Sequence, residues 1–305
     1  MRRIKHKGFL IALVSALIIS SSFIACDMKG NVENEKANLE NNTEKDKASR
    51  NKENPTDNTN EKSNNDSTSE TNKNRFEGLK TTSEDMNIPV LCYHDVTPKN
   101  PNNNELLVNP EKFKEQLQYL KDNNYTPITL DELYDYLRNS KPLPEKPVVI
   151  TFDDGYKGNY EYAYPLLKEF KFPATVFMIS NYVEAPDFMT ADQLKEMSNN
   201  GIEIESHTFK HDDLSTLDEA KQLETLKDSK VNLEKIIEKP VDFVAYPFGR
   251  YNSSTRVAAE KAGYKLGFNL NGNFADRKDN NFNIDRIYVS NNDSLKKFES
   301  RLTGK

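Results

Sequence analysis

From Ile88 onward, short apolar runs alternate with segments whose apolar residues recur every three or four positions. Val90–Tyr93, Val148–Phe152, Ala174–Ile179, Ile202–Glu205, Phe243–Tyr246, Leu266–Phe268 and Arg286–Val289 read as strands, with a shorter one at Thr126–Ile128. Val148–Phe152 is apolar without alternation, the pattern of a parallel strand buried on both faces. Between the strands, Phe113, Leu117 and Leu120 share one helical face behind Asn109-Pro110, an N-cap followed by proline at the first helical position. Further helices are expected at Leu130–Leu137, Tyr160–Phe170, Thr190–Asn199, Leu217–Ile237 and Ser253–Ala262. Repeated strand–helix units predict an α/β fold, a (β/α) barrel of seven or eight strands, with distortion expected. In such a barrel the chemistry gathers where strands end and the following loops begin.

The periodicity is absent before residue 87. Residues 1–25 carry Arg2, Arg3, Lys5 and Lys7, then an apolar run from Phe9 to Ile19 and small residues, which reads as an export signal. Phe23-Ile24-Ala25-Cys26 resembles a bacterial lipobox, with Cys26 as the lipidated residue. Residues 26–86 are rich in Asn, Glu, Lys, Asp, Ser and Thr, too polar to offset chain entropy, so a disordered linker is expected. A coil of that length reaches roughly 40–45 Å. Residues 87–305 then form one domain of ordinary size. Cys92 is the second of two cysteines; it sits among apolar residues and reads as a buried thiol. Without a disulfide, the core alone must hold the exported domain. Removing the leader's four cations takes the formal charge from −6 to about −10, which argues against a nucleic-acid partner. Export and lipidation place the domain on the extracellular face of the bacterial membrane, cell-wall associated or secreted if Cys26 is not lipidated.

Against this background the four histidines stand out. His6 falls in the leader, His94 in Tyr93-His94-Asp95, and His207 and His211 form an H-x-x-x-H pair. On a helical turn that spacing puts both imidazoles on one face. Asp153 and Asp154 follow the Val148–Phe152 strand and precede Gly155. Two imidazoles and a carboxylate can hold a divalent metal with a position left for water, and the neighbouring carboxylate can serve as a base. The same donors also describe non-haem iron oxygenases. No G-x-S-x-G motif is present, which argues against a serine esterase.

Thr151-Phe152-Asp153-Asp154-Gly155 with His207-Thr208-x-x-His211 resembles the polysaccharide deacetylase family, also called NodB-homology or carbohydrate esterase family 4. Ala245-Tyr246-Pro247-Phe248-Gly249 is similar to that family's aromatic-proline-aromatic-glycine groove motif. The resemblance implies Asp153 as general base; Asp154, His207 and His211 as ligands to Zn²⁺, with Co²⁺ or Ni²⁺ as alternatives; the Phe248 backbone at the oxyanion; and Tyr246, Pro247, Phe248 and Gly249 along a sugar groove. The arginine that precedes the groove motif in the family is absent here, with Arg250 and Arg286 as candidates to replace it, and no histidine follows His211. Tyr93-His94-Asp95 resembles the subgroup that deacetylates biofilm poly-N-acetylglucosamine, which implies His94 as general acid. Asp95 and Arg286 are taken as substrate contacts. The expected activity is metal-dependent de-N-acetylation of an extracellular N-acetylglucosamine polymer, poly-β-1,6-N-acetylglucosamine first and peptidoglycan second. The missing arginine leaves a catalytically weak, glycan-binding lipoprotein as the alternative.

Overall fold

The computed structural model describes residues 75–304. The expected signal, Cys26, His6 and the linker as far as residue 74 lie outside the described residues. Seven parallel strands form one curled sheet: β1 (Val90–Tyr93), β2 (Pro147–Phe152), β3 (Ala174–Met178), β4 (Ile202–Ser206), β5 (Phe243–Ala245), β6 (Leu266–Phe268) and β7 (Ile287–Tyr288). Their order is β6-β5-β4-β3-β2-β1-β7. The two outer strands are drawn together by the segment leading into β7, where Phe268 bridges Ile284 and Gly272 N–H donates to the Arg286 carbonyl at 3.0 Å. The eighth candidate shrinks to Thr126–Pro127, paired only with the first residues of β2. Pro127 has no N–H to extend that pairing.

Every residue of β2 is buried. Val148, Ile150 and Phe152 face the outer helices, packing with Phe113, Leu117 and Leu120 of α1 (Pro110–Asp122). Val149 faces inward, with Phe177, Phe243 and Phe268, and α2 (Leu130–Asn139) lays Leu130, Leu133 and Tyr136 against the same cluster. Local chemistry fixes the helix starts. Asn109 accepts from Glu111 N–H, and Thr129 with Glu132 closes a capping box on α2. Thr190 with Gln193 does the same for α4 (Ala191–Asn199), and Asp218 caps α5 (Glu219–Ile237). Removing one of the large buried rings, as in Phe113→Ala, would cost about 3–5 kcal/mol.

Three elements depart from the sequence expectation. The Tyr160–Phe170 helix is a wide π-type turn, Asn159–Ala163, running into α3 (Tyr164–Phe170). Pro165 cannot donate to the preceding turn, which suits a local change of winding. A helix absent from the expectation, α7 (Leu295–Thr303), follows α6 (Ser253–Lys261), is capped by Ser294 and buries Phe298 and Leu302. Residues 75–86, assigned to the linker by composition, lie on the domain. Thr81–Thr82 pairs with Leu143–Pro144, Arg75 reaches Glu132 at 2.9 Å, and Tyr136 Oη donates to the Glu84 carbonyl at 2.8 Å. Polar side chains hid these contacts, because backbone groups make most of them.

Candidate active site

The strand ends deliver the site. After β2 the chain turns sharply, with Asp154 at φ +70° and Gly155 at φ +84°. A Cβ at Gly155 would stand 1.9 Å from Met178 Sδ, so only glycine lets the turn close over β3. Asp153 and Asp154 therefore leave the strand in different directions, which separates their partners.

Asp154 faces the two histidines. His207 follows β4 directly, and His211 comes back from a loop rather than a helix. Thr208 at φ +65° and His211 at φ +61° turn the chain, and Thr208 and Phe209 carbonyls accept from Ser180 and Asn181 N–H at 3.2 and 3.0 Å. The shared helical face expected from the spacing is thus replaced by a loop pinned to its neighbour. The convergence is the same: Asp154 Oδ1 lies 3.4 Å from His207 Nε2 and 3.3 Å from His211 Nε2.

His207 Nδ1 contacts the Ala245 carbonyl at 2.9 Å. A carbonyl only accepts, so Nδ1 carries the proton and Nε2 presents a lone pair. Asp154 Oδ1 is buried without a hydrogen-bond partner. Two acceptors, His207 Nε2 and Asp154 Oδ1, therefore face each other, an arrangement that a shared cation satisfies. Their spacing suits the edges of a tetrahedron with bonds of about 2.0–2.1 Å, the lengths zinc makes to nitrogen and oxygen. The donor set fits a divalent metal. Burial alone would raise the Asp154 carboxyl, but the two imidazoles, protonated in the absence of a metal, take the cation's place and hold it far below the usual carboxylate range.

Asp153 faces Arg286. The guanidinium donates to both carboxylate oxygens, Nη1 to Oδ1 at 2.6 Å and Nη2 to Oδ2 at 2.7 Å. The same group donates to Asn269 O and Thr151 Oγ1, each at 3.2 Å, and lies over the Phe177 ring. Burial raises the Asp153 carboxyl, but Arg286 and then His207 overcome it and hold it at about 2. Arg286 is 0% exposed, so it has no surface for a substrate; the expected substrate contact is corrected to an anchor for the Asp153 carboxylate. Arg250, the other candidate, pairs at the surface with Asp213 at 2.9 Å.

Cys92 was legible only as a buried thiol. Its Sγ donates to Asp153 Oδ2 at 3.3 Å, a third hydrogen bond to that carboxylate. Burial pushes the thiol well above its ordinary pKa, so it stays a neutral donor. His94 completes this side, because Cys92, His94 and Asp153 each offer an atom within 4.8 Å of the others. The ring meets Tyr288 edge-on at 5.8 Å, and its Nδ1 is buried without a hydrogen-bond partner. Burial lowers the His94 pKa, against the pull of Asp153 and Asp154. Asp95 Oδ1 is likewise without a partner, and burial raises that carboxyl to about 6. Gly158 makes room for it, since a Cβ there would stand 2.2 Å from Oδ1.

The aromatic-proline motif divides. Tyr246 and Pro247 are buried, so the expectation that they line a groove is corrected. Tyr246 Oη donates to the Phe282 carbonyl at 3.1 Å and occupies the space left by the missing side chain of Gly267. Gly249, at φ +67°, packs its backbone on Leu270. Phe248 alone turns outward: it is 57% exposed, with its ring 4.6 Å from that of His211.

Comparison with known proteins gives the same picture. The profile of the polysaccharide deacetylase family matches residues 140–267. YxkH of Bacillus subtilis (strain 168) is 37% identical over 209 residues, covering 68% of this chain and 74% of its own length. The poly-beta-1,6-N-acetyl-D-glucosamine N-deacetylase of Staphylococcus aureus (strain MRSA252) is 34% identical over 197 residues, 60% of this chain and 68% of its own. The structure of the Streptococcus pyogenes deacetylase PplD in complex with acetate superposes with a TM-score of 0.68 at 33% identity, spanning 72% of this chain and 99% of that one.

Proposed function

The chain belongs to the polysaccharide deacetylase family, hydrolases acting on N-acetyl amide bonds, and from that premise we propose that it removes acetyl groups from poly-β-1,6-N-acetylglucosamine outside the cell in a metal-dependent reaction. The observation that carries this reading is the separation of the two carboxylates: Asp153 held by Arg286, and Asp154 turned to His207 and His211.

Asp154, His207 and His211 would hold the metal, zinc by the chemistry of its donors, with cobalt or nickel able to use the same set. A divalent ion there supplies Lewis acidity, lowering the pKa of a bound water toward about 7. Asp153, kept ionised and fixed in plane by two hydrogen bonds from Arg286, takes the proton from the water that attacks the acetyl carbonyl carbon. The Phe248 backbone N–H would donate to the developing oxyanion. The C–N bond then breaks, and protonated His94 gives its proton to the departing glucosamine nitrogen. Burial makes the protonated imidazole a stronger acid, which suits a poor leaving group. Water, acetamide, acetate and amine balance without a covalent enzyme intermediate. Asp95 accepts from a sugar hydroxyl, and Phe248 covers one side of the sugar. Arg286 also removes the observation that favoured a non-catalytic glycan binder. We place the enzyme on the extracellular face of the cell membrane, anchored through lipidated Cys26.

Acetate release decides the matter. Poly-β-1,6-N-acetylglucosamine, peptidoglycan and chitin oligomers would be compared before and after chelation, and again after Zn²⁺ is restored. The expected outcome is release from the first polymer, lost on chelation and recovered with zinc. Release only from peptidoglycan would replace the substrate, and no release from any N-acetylated polymer would defeat the assignment.

A further inference from the structure

The loop after β2 and the longer loop after β3 run antiparallel beside the metal-binding group. Lys157 N–H donates to the Asp187 carbonyl at 2.9 Å and Met189 N–H to the Gly155 carbonyl at 3.1 Å, which sets Tyr156 opposite Phe188. That backbone pairing stacks their rings, centroids 5.1 Å apart and 21° from parallel. Tyr182 closes the far side, meeting Phe188 edge-on at 4.8 Å. Phe188 and Tyr182 lean on the outer core, whereas Tyr156 belongs to neither apolar cluster and rests on Phe188.

The pair stands close to the reacting centre. Tyr156 is two residues after Asp154, on the same turn that carries that carboxylate. Phe248, against His211, bears on a second member of the group. The chain contains no tryptophan, so any flat aromatic surface for a sugar must be built from phenylalanine and tyrosine. A pyranose presents an apolar C–H face whose hydrogens carry positive partial charge, and these are attracted to the negative face of a π system. A half-buried, backbone-clamped ring pair offers that face with little side-chain entropy left to lose.

We infer that the Tyr156–Phe188 ring pair is a saccharide subsite, binding the pyranose next to the unit being deacetylated. The subsite rests on the proposed polysaccharide substrate, and makes the enzyme one that measures chain length: oligomers occupy the platform and single sugars do not.

Phe188 is the residue to change, since it is neither a member of the metal-binding group nor a hydrogen-bond partner of Asp153. Kinetics would compare a β-1,6-linked N-acetylglucosamine pentamer with N-acetylglucosamine itself. Phe188→Leu keeps apolar volume without a π face, and should raise KM for the pentamer about ten-fold while leaving kcat/KM for the monomer unchanged. Phe188→Trp should restore the pentamer KM. A Phe188→Leu enzyme with wild-type KM would overturn the subsite, as would an equal loss on pentamer and monomer, or failure of Phe188→Trp to rescue. Calorimetry of the pentamer with Asp153→Asn, alone and combined with Phe188→Leu, reads binding without turnover. A matching loss of affinity in the double variant supports the platform even if no acetate is ever released; equal affinities sink it. Absence of acetate release by the wild-type enzyme sinks only the deacetylase reading.

Discussion

Two pairs of carboxylates lie in this sheet, and they behave in opposite ways. Asp153 and Asp154, at the end of β2, are both held below the ordinary carboxylate range. Glu203 and Glu205, on β4, are both pushed above it, Glu203 to about 7. Burial raises all four. The difference is the company each keeps. Asp153 has the Arg286 guanidinium and Asp154 has two imidazoles. Glu203 accepts only from neutral groups, the N–H of Leu130 at 2.8 Å, that of Asp131 at 3.3 Å and Thr175 Oγ1 at 2.7 Å, while Glu205 accepts from Phe243 N–H at 2.8 Å. The second pair lines a cavity of about 360 Å³ by the residues preceding β4 and β5, the end of those strands away from the metal-binding group. Its acids accept from backbone N–H groups, while the first pair faces a guanidinium and two imidazoles. A cation within contact distance, rather than residue type or depth, decides which carboxylate stays charged.

That contrast can be broken most forcefully at Asp153. Asp153→Asn should lower kcat by about 10²–10⁴-fold, while metal content, measured by atomic absorption, stays at the wild-type stoichiometry. Loss of metal along with activity would mean the two aspartates are not divided as proposed. Arg286→Met comes next. Removing one member of a buried pair strands the other, so urea denaturation should show a loss of about 3–5 kcal/mol at pH 7, and the loss should shrink in acid as Asp153 takes up a proton. An unchanged unfolding midpoint would show that the pair contributes nothing to the fold.

The glutamate pair calls for a pH titration. The folded chain keeps a proton on Glu203 above its ordinary value of 4.5, where the unfolded chain has lost it. Stability should therefore fall as the pH rises from about 4.5 to about 7, by about 3 kcal/mol from Glu203, and this slope should shrink in Glu203→Gln to the part that Glu205 contributes. For Asp153 the sign reverses. Its stabilisation is present above its ordinary 3.8 and is lost as the pH falls toward 2. Chemical denaturation across both windows would separate the two contributions, and slopes of equal sign would refute the contrast. The smallest effect is expected at Cys92, where Cys92→Ala removes one neutral donor from Asp153 and should cost about 1 kcal/mol in the same unfolding measurement, with a larger loss pointing to packing instead.

The candidate metal ligands were readable because their residue types are rare and their strands are strongly patterned. Two of four histidines behind a buried strand, and two acids behind another, left few alternatives. What stayed hidden depended on distance through space. Arg286 sits 133 positions from Asp153, and only strand order brings β7 beside β1, itself beside β2. The His207–His211 spacing suggested a helix, since nothing local announces that Thr208 and His211 take left-handed backbone. Tyr246 looked like a groove residue by motif, yet Gly267 opens a space that draws its ring into the core. Tyr156 gave no signal, because its partner Phe188 arrives on a different loop.

The position of Arg286 near the carboxyl end also sets an order of events. A nascent chain that has emerged as far as Phe268 already contains Asp154, His207 and His211, but nothing to neutralise Asp153. The partner of Asp153 therefore arrives only when the last strand docks, so the buried ion pair closes at the end of folding and not along the way.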